Sequence, residues 1–142
     1  MMNEIRPMRL RMQNAASPSN LKRGEGGTVD VDWVAQVLLL KHVAGNPSLI
    51  RHGTIDLLLN LESAGHLSHE DASTLVRGYR ILRRTEANLR LMDAEGRYEL
   101  PDDERQMKNL AFLMGQPNAA SVRQMCDAAR KSNRAIFDRV VG

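Results

Sequence analysis

The sequence predicts an all-α fold: a helical bundle of about five helices with a short N-terminal linker helix. Three observations lead there. Apolar residues recur at helical spacing over long segments, no segment alternates as a half-buried strand would, and helix-starting and helix-stopping residues bracket each segment. Composition agrees. Apolar residues make up 42% of the 142, enough for a packed core, while aromatics reach only 4%. Leucine and eight methionines must then fill the interior, which suits helix-on-helix packing.

The elements follow in order. Within residues 1–20, Ile5 to Met12 make two helical turns with Met8 and Met12 on one face, Arg9 and Arg11 beside them, and Pro7 near the start. "NAASPSN" follows as a polar linker. Such a short helix does not stand alone in water, so it frays or packs against something else. Residues 28–44 read as the first long helix, with Thr28 as its cap and Asp30 in the first turn, where negative charge suits the helix dipole. From Val31 to Val43 it is apolar on nearly every side, the pattern of a central buried helix, and Gly45-Asn46-Pro47 ends it.

A second helix covers 54–64, with Thr54 as cap and Gly65 as stop. The third starts at Ser68, where Ser68 and Asp71 resemble a capping box, and runs to about 92. Leu75, Tyr79, Leu82, Glu86 and Leu89 form its inner stripe. Gly78 in its middle costs ~1 kcal/mol against alanine, which points to close packing on another helix. "DAEGRYELPDD" is a loop, and helices over 102–114 and 119–140 complete the chain.

Charge and cysteine usage bound the function classes. The net charge of +3 permits an anionic partner without requiring one. Cys126 is the only cysteine, so no internal disulfide forms, a reducing cytoplasmic setting is expected, and a buried helix thiol is the expected role. No apolar run approaches the ~18 residues of a membrane span, and the N-terminal arginines precede no signal-peptide core.

The segment "LKRGEGGTVDVDWVAQ", residues 21–36, departs from ordinary helix packing. Glycines leave backbone N–H groups free to face an anion, a helix N-terminus adds a positive dipole end, and Lys22 and Arg23 add full charges. A phosphate site is one reading; a glycine loop that merely enters a helix is the commoner one. Asp30 and Asp32 point some 200° apart on a helix and do not readily share a metal, whereas Asp32 and Gln36 share a face. On the third helix Arg77, Arg80 and Arg84 form a row that reads as a solvated face, and Arg83 with Glu86 as a half-buried ion pair. His42, His52, His66 and His69 are scattered, and no metal site is expected from them.

The whole of "LKRGEGGTVDVDWVAQ" resembles the motif Lys-x-x-x-Gly-Gly-x-x-Asp/Glu-Ile-Glu-Phe-x-x-Gln, which follows each nucleotidyltransferase unit in the bacterial glutamine synthetase adenylyltransferase family. Lys22, Gly26, Gly27, Asp30, Val31, Asp32, Trp33 and Gln36 occupy its positions, with Asp32 in place of Glu and Trp33 in place of Phe. Leu67, Ala72, Tyr79, Leu82, Arg83 and Glu86 fall where the family's helical segment expects them. "LPDDERQMKNLAFLMG" is similar to its link to the last helix, and "IRPMRLRMQ" to the tail helix leaving the catalytic domain.

The resemblance implies that residues 1–20 are the linker and tail helix of a preceding catalytic domain and 21–142 a helical accessory domain. The family moves AMP between ATP and a tyrosine of glutamine synthetase, with magnesium held by clustered aspartates after a Gly-Ser opening. Neither that opening nor a three-carboxylate set occurs here, so this fragment alone is expected to be inactive, with no catalytic residue and no bound metal. Mg and ATP then belong to the full enzyme. Implied partners are the nucleotidyltransferase domain, glutamine synthetase and a PII-type signalling protein. Lys22, Arg23, Gly26, Gly27, Asp30, Asp32 and Gln36 would line the cleft or face phosphate, with Gln36 bracing Asp32. Two other readings stand beside this one: a stand-alone protein-interaction module, and a basic helical nucleic-acid binder using Arg6, Arg9, Arg11, Lys22 and Arg23. Nucleic acid is the less expected partner, and a membrane is not expected.

Overall fold

The computed structural model describes residues 2–94 and 98–142. It contains six α-helices: α1 (Met2–Asn14), α2 (Thr28–His42), α3 (Thr54–Ser63), α4 (His69–Leu91), α5 (Glu104–Leu113) and α6 (Ala119–Val141), with a 3-10 turn at Pro47–Leu49. No strand occurs among the described residues. The all-α bundle is therefore as expected, with the N-terminal helix as its sixth member. Part of the expected 93–103 loop, residues 95–97, lies outside the described residues. Among those described, no helix is long and apolar enough to cross a membrane.

Two long helices, α4 and α6, run antiparallel and organise the rest. The first half of α4 (Ala72, Leu75, Val76) meets the end of α6 (Ile136, Phe137), together with α2 and α3, in one apolar cluster. Its second half (Leu82, Leu89) meets the start of α6 (Val122, Cys126, Ala129) and α5 in another. Where the helices cross, a Cβ added to Gly78 would lie 2.5 Å from the Asn133 side chain, so the expected close packing is real and is made on α6. Cys126 is buried as expected, beside Thr85, and burial pushes its thiol up.

Caps follow sequence logic only in part. Ser68 Oγ accepts from the Asp71 amide at 3.1 Å, one half of the expected capping box. The Asp71 carboxylate instead receives Arg139 at 2.8 Å, tying α4 to α6. Asp103 and Asn118 cap α5 and α6 through their side-chain oxygens. Thr28 and Thr54 do not cap. Gly27 and Gly53 hold those N-cap positions without a side-chain bond, and both threonines are already helical, with Thr54 committed to Asp32. Two further expectations are corrected. Pro7 lies inside α1, which begins at Met2. And α2 is not apolar all round: Gln36 and Lys41 are exposed and Leu40 is 50% exposed, because α3, α4 and α6 cover only part of its circumference.

The N-terminal helix does not fray. Ile5 and Arg9 are buried, and α1 packs on α6, where Arg6 meets Asp138 at 2.8 Å. The joint is a buried charge cluster. Asp30 Oδ1 accepts from Arg9 Nε at 2.6 Å, Arg134 Nε lies 2.9 Å from Oδ2, and the Gly26 amide donates to Oδ2 at 2.7 Å. Arg9 also donates to the Gly24 carbonyl at 3.0 Å. Burial pushes the Asp30 carboxyl above its ordinary 3.8, while both guanidiniums and the amide pull it back down; burial likewise lowers Arg9. One carboxylate thus separates two enclosed cations, and deleting its charge leaves them facing each other. Asp30→Asn should cost about 3–5 kcal/mol, the usual penalty for breaking a buried pair, read by urea melts. A loss below ~1 kcal/mol would mean the cluster is solvated and does not hold the fold.

Candidate functional site

The glycine loop is shaped by the chain itself. Gly26 has φ +72°, and a Cβ there would lie 1.9 Å from the Arg130 carbonyl oxygen; one on Gly27 would lie 2.4 Å from the Lys22 carbonyl. Side chains of α6 hold the same loop: Arg130 Nε donates to the Glu25 carbonyl at 2.9 Å and Asn133 Nδ2 to the Gly26 carbonyl at 3.0 Å. The loop amides are turned inward as well. Those of Lys22 and Arg23 donate to Asn20 Oδ1 at 3.0 and 2.8 Å, and those of Gly24, Gly27, Thr28 and Val29 to backbone carbonyls. Glycine is required here for close approach of backbone to backbone.

The sequence-derived candidates therefore separate into two groups. Gly26, Gly27 and Asp30 are buried against α1 and α6. Lys22 and Asp32 are half-buried, and Arg23 and Gln36 exposed. Asp32 Oδ1 accepts from Thr54 Oγ1 at 2.7 Å, and the half-buried Tyr79 lies close enough for its phenol and the carboxyl to shift one another's titration. Asp32 is thus braced by α3 and α4, the role expected of Gln36. Burial raises the Asp32 carboxyl above 3.8, while Thr54, Tyr79, Arg83 and Lys22 lower it. Tyr79 is raised above 10.0 by burial and by Asp32, so its hydroxyl keeps its proton and can donate.

The same corner holds a second carboxylate. Arg83 Nη1 reaches Glu86 Oε2 at 3.4 Å, with side chains 53% and 2% exposed, the half-buried ion pair the sequence predicts. Glu86 Oε1 is buried with no partner among the described residues. Lys22 lies 5.1 Å from the Tyr98 ring centroid, a cation–π contact that holds its ammonium near this corner. A half-buried carboxylate, a buried one, two cations and a phenol thus share a patch that opens to solvent through Lys22 and Arg83. The donor set does not suit a metal ion: the Asp30 oxygens are taken by cations and an amide, and no group of three metal-ligating side chains forms among the described residues.

What sequence reasoning missed is the loop's partners. Arg9, Arg130, Asn133 and Arg134 hold the loop and Asp30, yet of these the sequence points only to Arg9, and to that as a nucleic-acid contact. The available signal was Asn133-Arg134 lying among Ala129, Ile136 and Phe137, polar residues on an apolar helical face.

Comparison with known proteins bears on this same motif. A family model described as GlnD PII-uridylyltransferase matches residues 1–140. The chain belongs to that family. The likeness to glutamine synthetase adenylyltransferases is borne out too. The bifunctional glutamine synthetase adenylyltransferase/adenylyl-removing enzyme of Cutibacterium acnes is 32% identical over 133 residues, covering 91% of this chain and 14% of that protein. The enzyme of the same description from Leifsonia xyli is 29% identical over 144 residues, 96% of this chain and 14% of its own length. That from Bordetella pertussis is 33% identical over 111 residues, 78% and 12%. The chain thus spans about one-seventh of the length of the first two relatives.

The Glu86 environment yields a pH signature. Burial holds its carboxyl above the ordinary 4.5, with Arg83, Lys22 and Arg90 opposing, so the fold favours the protonated form. That contribution is complete below about pH 4.5 and is lost as pH rises through the folded value. The native chain should therefore lose stability relative to Glu86→Gln as pH rises above about 4.5 in paired urea melts. A constant gap, or one that widens in favour of the native chain, would contradict the assignment.

Proposed function

We propose that this chain is the helical domain of an enzyme that adenylylates or deadenylylates glutamine synthetase, abutting a nucleotidyltransferase cleft and helping to place the protein substrate. The observation that carries this reading is the half-open corner of Lys22, Asp32, Tyr79, Arg83 and Glu86, built from residues at the positions of the family motif. In this arrangement residues 1–20 lead out of the catalytic domain. Gly26, Gly27 and Asp30 hold the loop from behind, while Lys22, Arg23, Asp32 and Gln36 meet the neighbouring domain.

The chemistry assigned to the corner is electrostatic. Lys22 and Arg23 supply positive charge toward phosphate or toward the catalytic domain's acids, and Asp32, fixed by Thr54 and Tyr79, orients a cationic or donor group across the seam. ATP and magnesium belong to the nucleotidyltransferase domain, where the metal would neutralise charge on the transferring phosphates. No step is assigned to a metal on this chain. A PII-type signalling protein is the regulatory partner this reading admits.

The test joins the chain to a nucleotidyltransferase domain of the family and assays AMP transfer to glutamine synthetase. Asp32→Asn should lower transfer ~10²-fold with little change in melting temperature, and the isolated chain should leave no label on the synthetase. A lowered melting temperature with unchanged turnover per folded molecule would make Asp32 a structural acceptor, and transfer by the isolated chain would sink the domain reading.

A further inference from the structure

The solvent face of α4 carries Arg77, Arg80 and Arg84, with Arg83 and Arg90 at its edge. Between Ala72 and Met92 the only acidic residue is Glu86, and it is buried against Arg83. Among the described residues no carboxylate lies within ion-pair distance of Arg77, Arg80 or Arg84. At helical rise, Arg77 to Arg84 extends about 10 Å along one line. Three guanidiniums so placed repel one another and remain uncompensated among the described residues.

Beside this row runs a shallow groove of about 270 Å³ between α4 and α6, lined by Arg77, Gly78, Ile81, Met125, Ala128 and Ser132 among others. Its floor is made of small residues, its walls of Ile81 and Met125, and its lip of Arg77. The α6 side adds no negative charge. Ser121, Ala128, Ser132 and Ala135 line that flank, whereas Asp127 and Asp138 sit on the other flank of α6, Asp138 held there by Arg6. The groove is also separate from the Asp32 corner. Tyr79, Arg83 and Glu86 lie along one edge of α4, and Thr74, Gly78 and Ile81 along the other.

We propose that this face of α4 and α6 is a docking surface for an acidic amphipathic helix of a protein partner. Small floor residues let a helix approach closely, its apolar side chains fill the groove between Ile81 and Met125, and its carboxylates at i, i+4 and i+7 meet Arg84, Arg80 and Arg77. An apolar groove beside an arginine row suits such a segment better than nucleic acid. Single strands bind proteins by stacking bases on aromatic side chains, and no aromatic residue lines the groove. The surface does not depend on the role given to Asp32, so the two readings stand or fall separately.

The test titrates the 142-residue chain against three fluorescent probes in anisotropy measurements. They are a synthetic glutamate/leucine amphipathic helix of about five turns, the same composition scrambled to destroy its apolar face, and a single-stranded oligothymidine. The amphipathic probe should bind, and bind more weakly as salt rises. Its affinity should fall about tenfold or more in Arg77→Glu/Arg80→Glu/Arg84→Glu. It should also fall in Ala128→Trp, which fills the groove at unchanged charge. Circular dichroism melts check that both variants fold, and because all four positions are exposed the fold should survive. Equal binding of the scrambled peptide, tighter binding of the oligonucleotide, absence of binding by the amphipathic probe, or indifference to both variants would overturn the proposal.

Discussion

The structure turns on the carboxylate of Asp30. It sits where three parts of the chain meet: α1 through Arg9, α6 through Arg134, and the glycine loop through the Gly26 amide. Enclosing two guanidiniums carries a large desolvation cost, which a single central anion offsets only when its geometry is good. Each Asp30 oxygen is engaged within 2.9 Å, and Arg9 finds a further acceptor in Gly24. The loop must then follow one path, which brings its backbone against α6 so closely that Gly26 has no room for a side chain.

The consequences reach the candidate site through α2. With the loop clasped between α1 and α6, the first turn of α2 is fixed, and two residues beyond Asp30 the chain presents Asp32 on a different face. Asp32 meets Thr54 and Tyr79, so three helices converge on one carboxylate. Lys22, which precedes the glycines, is carried to the same corner, where it lies over Tyr98 and helps to hold Asp32 ionised. The motif therefore divides its labour by depth: Gly26, Gly27 and Asp30 act inward to fix the loop between α1 and α6, and Lys22, Arg23, Asp32 and Gln36 remain at or near the surface.

Much of this fold was legible because helix periodicity is a local signal. The ranges of α3, α4 and α6 follow from apolar spacing and stop residues, and Gly78 announces a close helix crossing before any partner is known. The Arg83–Glu86 pair is legible for the same reason, since both residues lie on one helix. Thr54 reads as a cap because a threonine before an apolar run looks the same whether its hydroxyl turns to its own helix or to a distant carboxylate, and Thr28 reads as one although it lies one position inside its helix, behind Gly27. The glycine loop is the harder case. A string of glycines next to Lys22 and Arg23 is chemically compatible with an anion nest; its amides are instead taken by Asn20, Asp30 and backbone carbonyls, in a loop whose carbonyls Arg130 and Asn133, more than a hundred residues away in sequence, hold against α6. Long-range polar pairing leaves no periodic trace, and Asp30 could not be separated from Asp32 by spacing alone.

The most direct test of this account is hydrogen exchange at the Gly26 amide, followed by nitrogen-15 NMR. That N–H is donated to the enclosed Asp30 Oδ2 at 2.7 Å, so it should exchange only through global unfolding, with protection equal to that of core amides in α2 such as Val34 and Leu38. Exchange of Gly26 at the rate of an exposed loop amide, while α2 stays protected, would show that the loop opens without the core and that Asp30 does not hold the loop to α1 and α6.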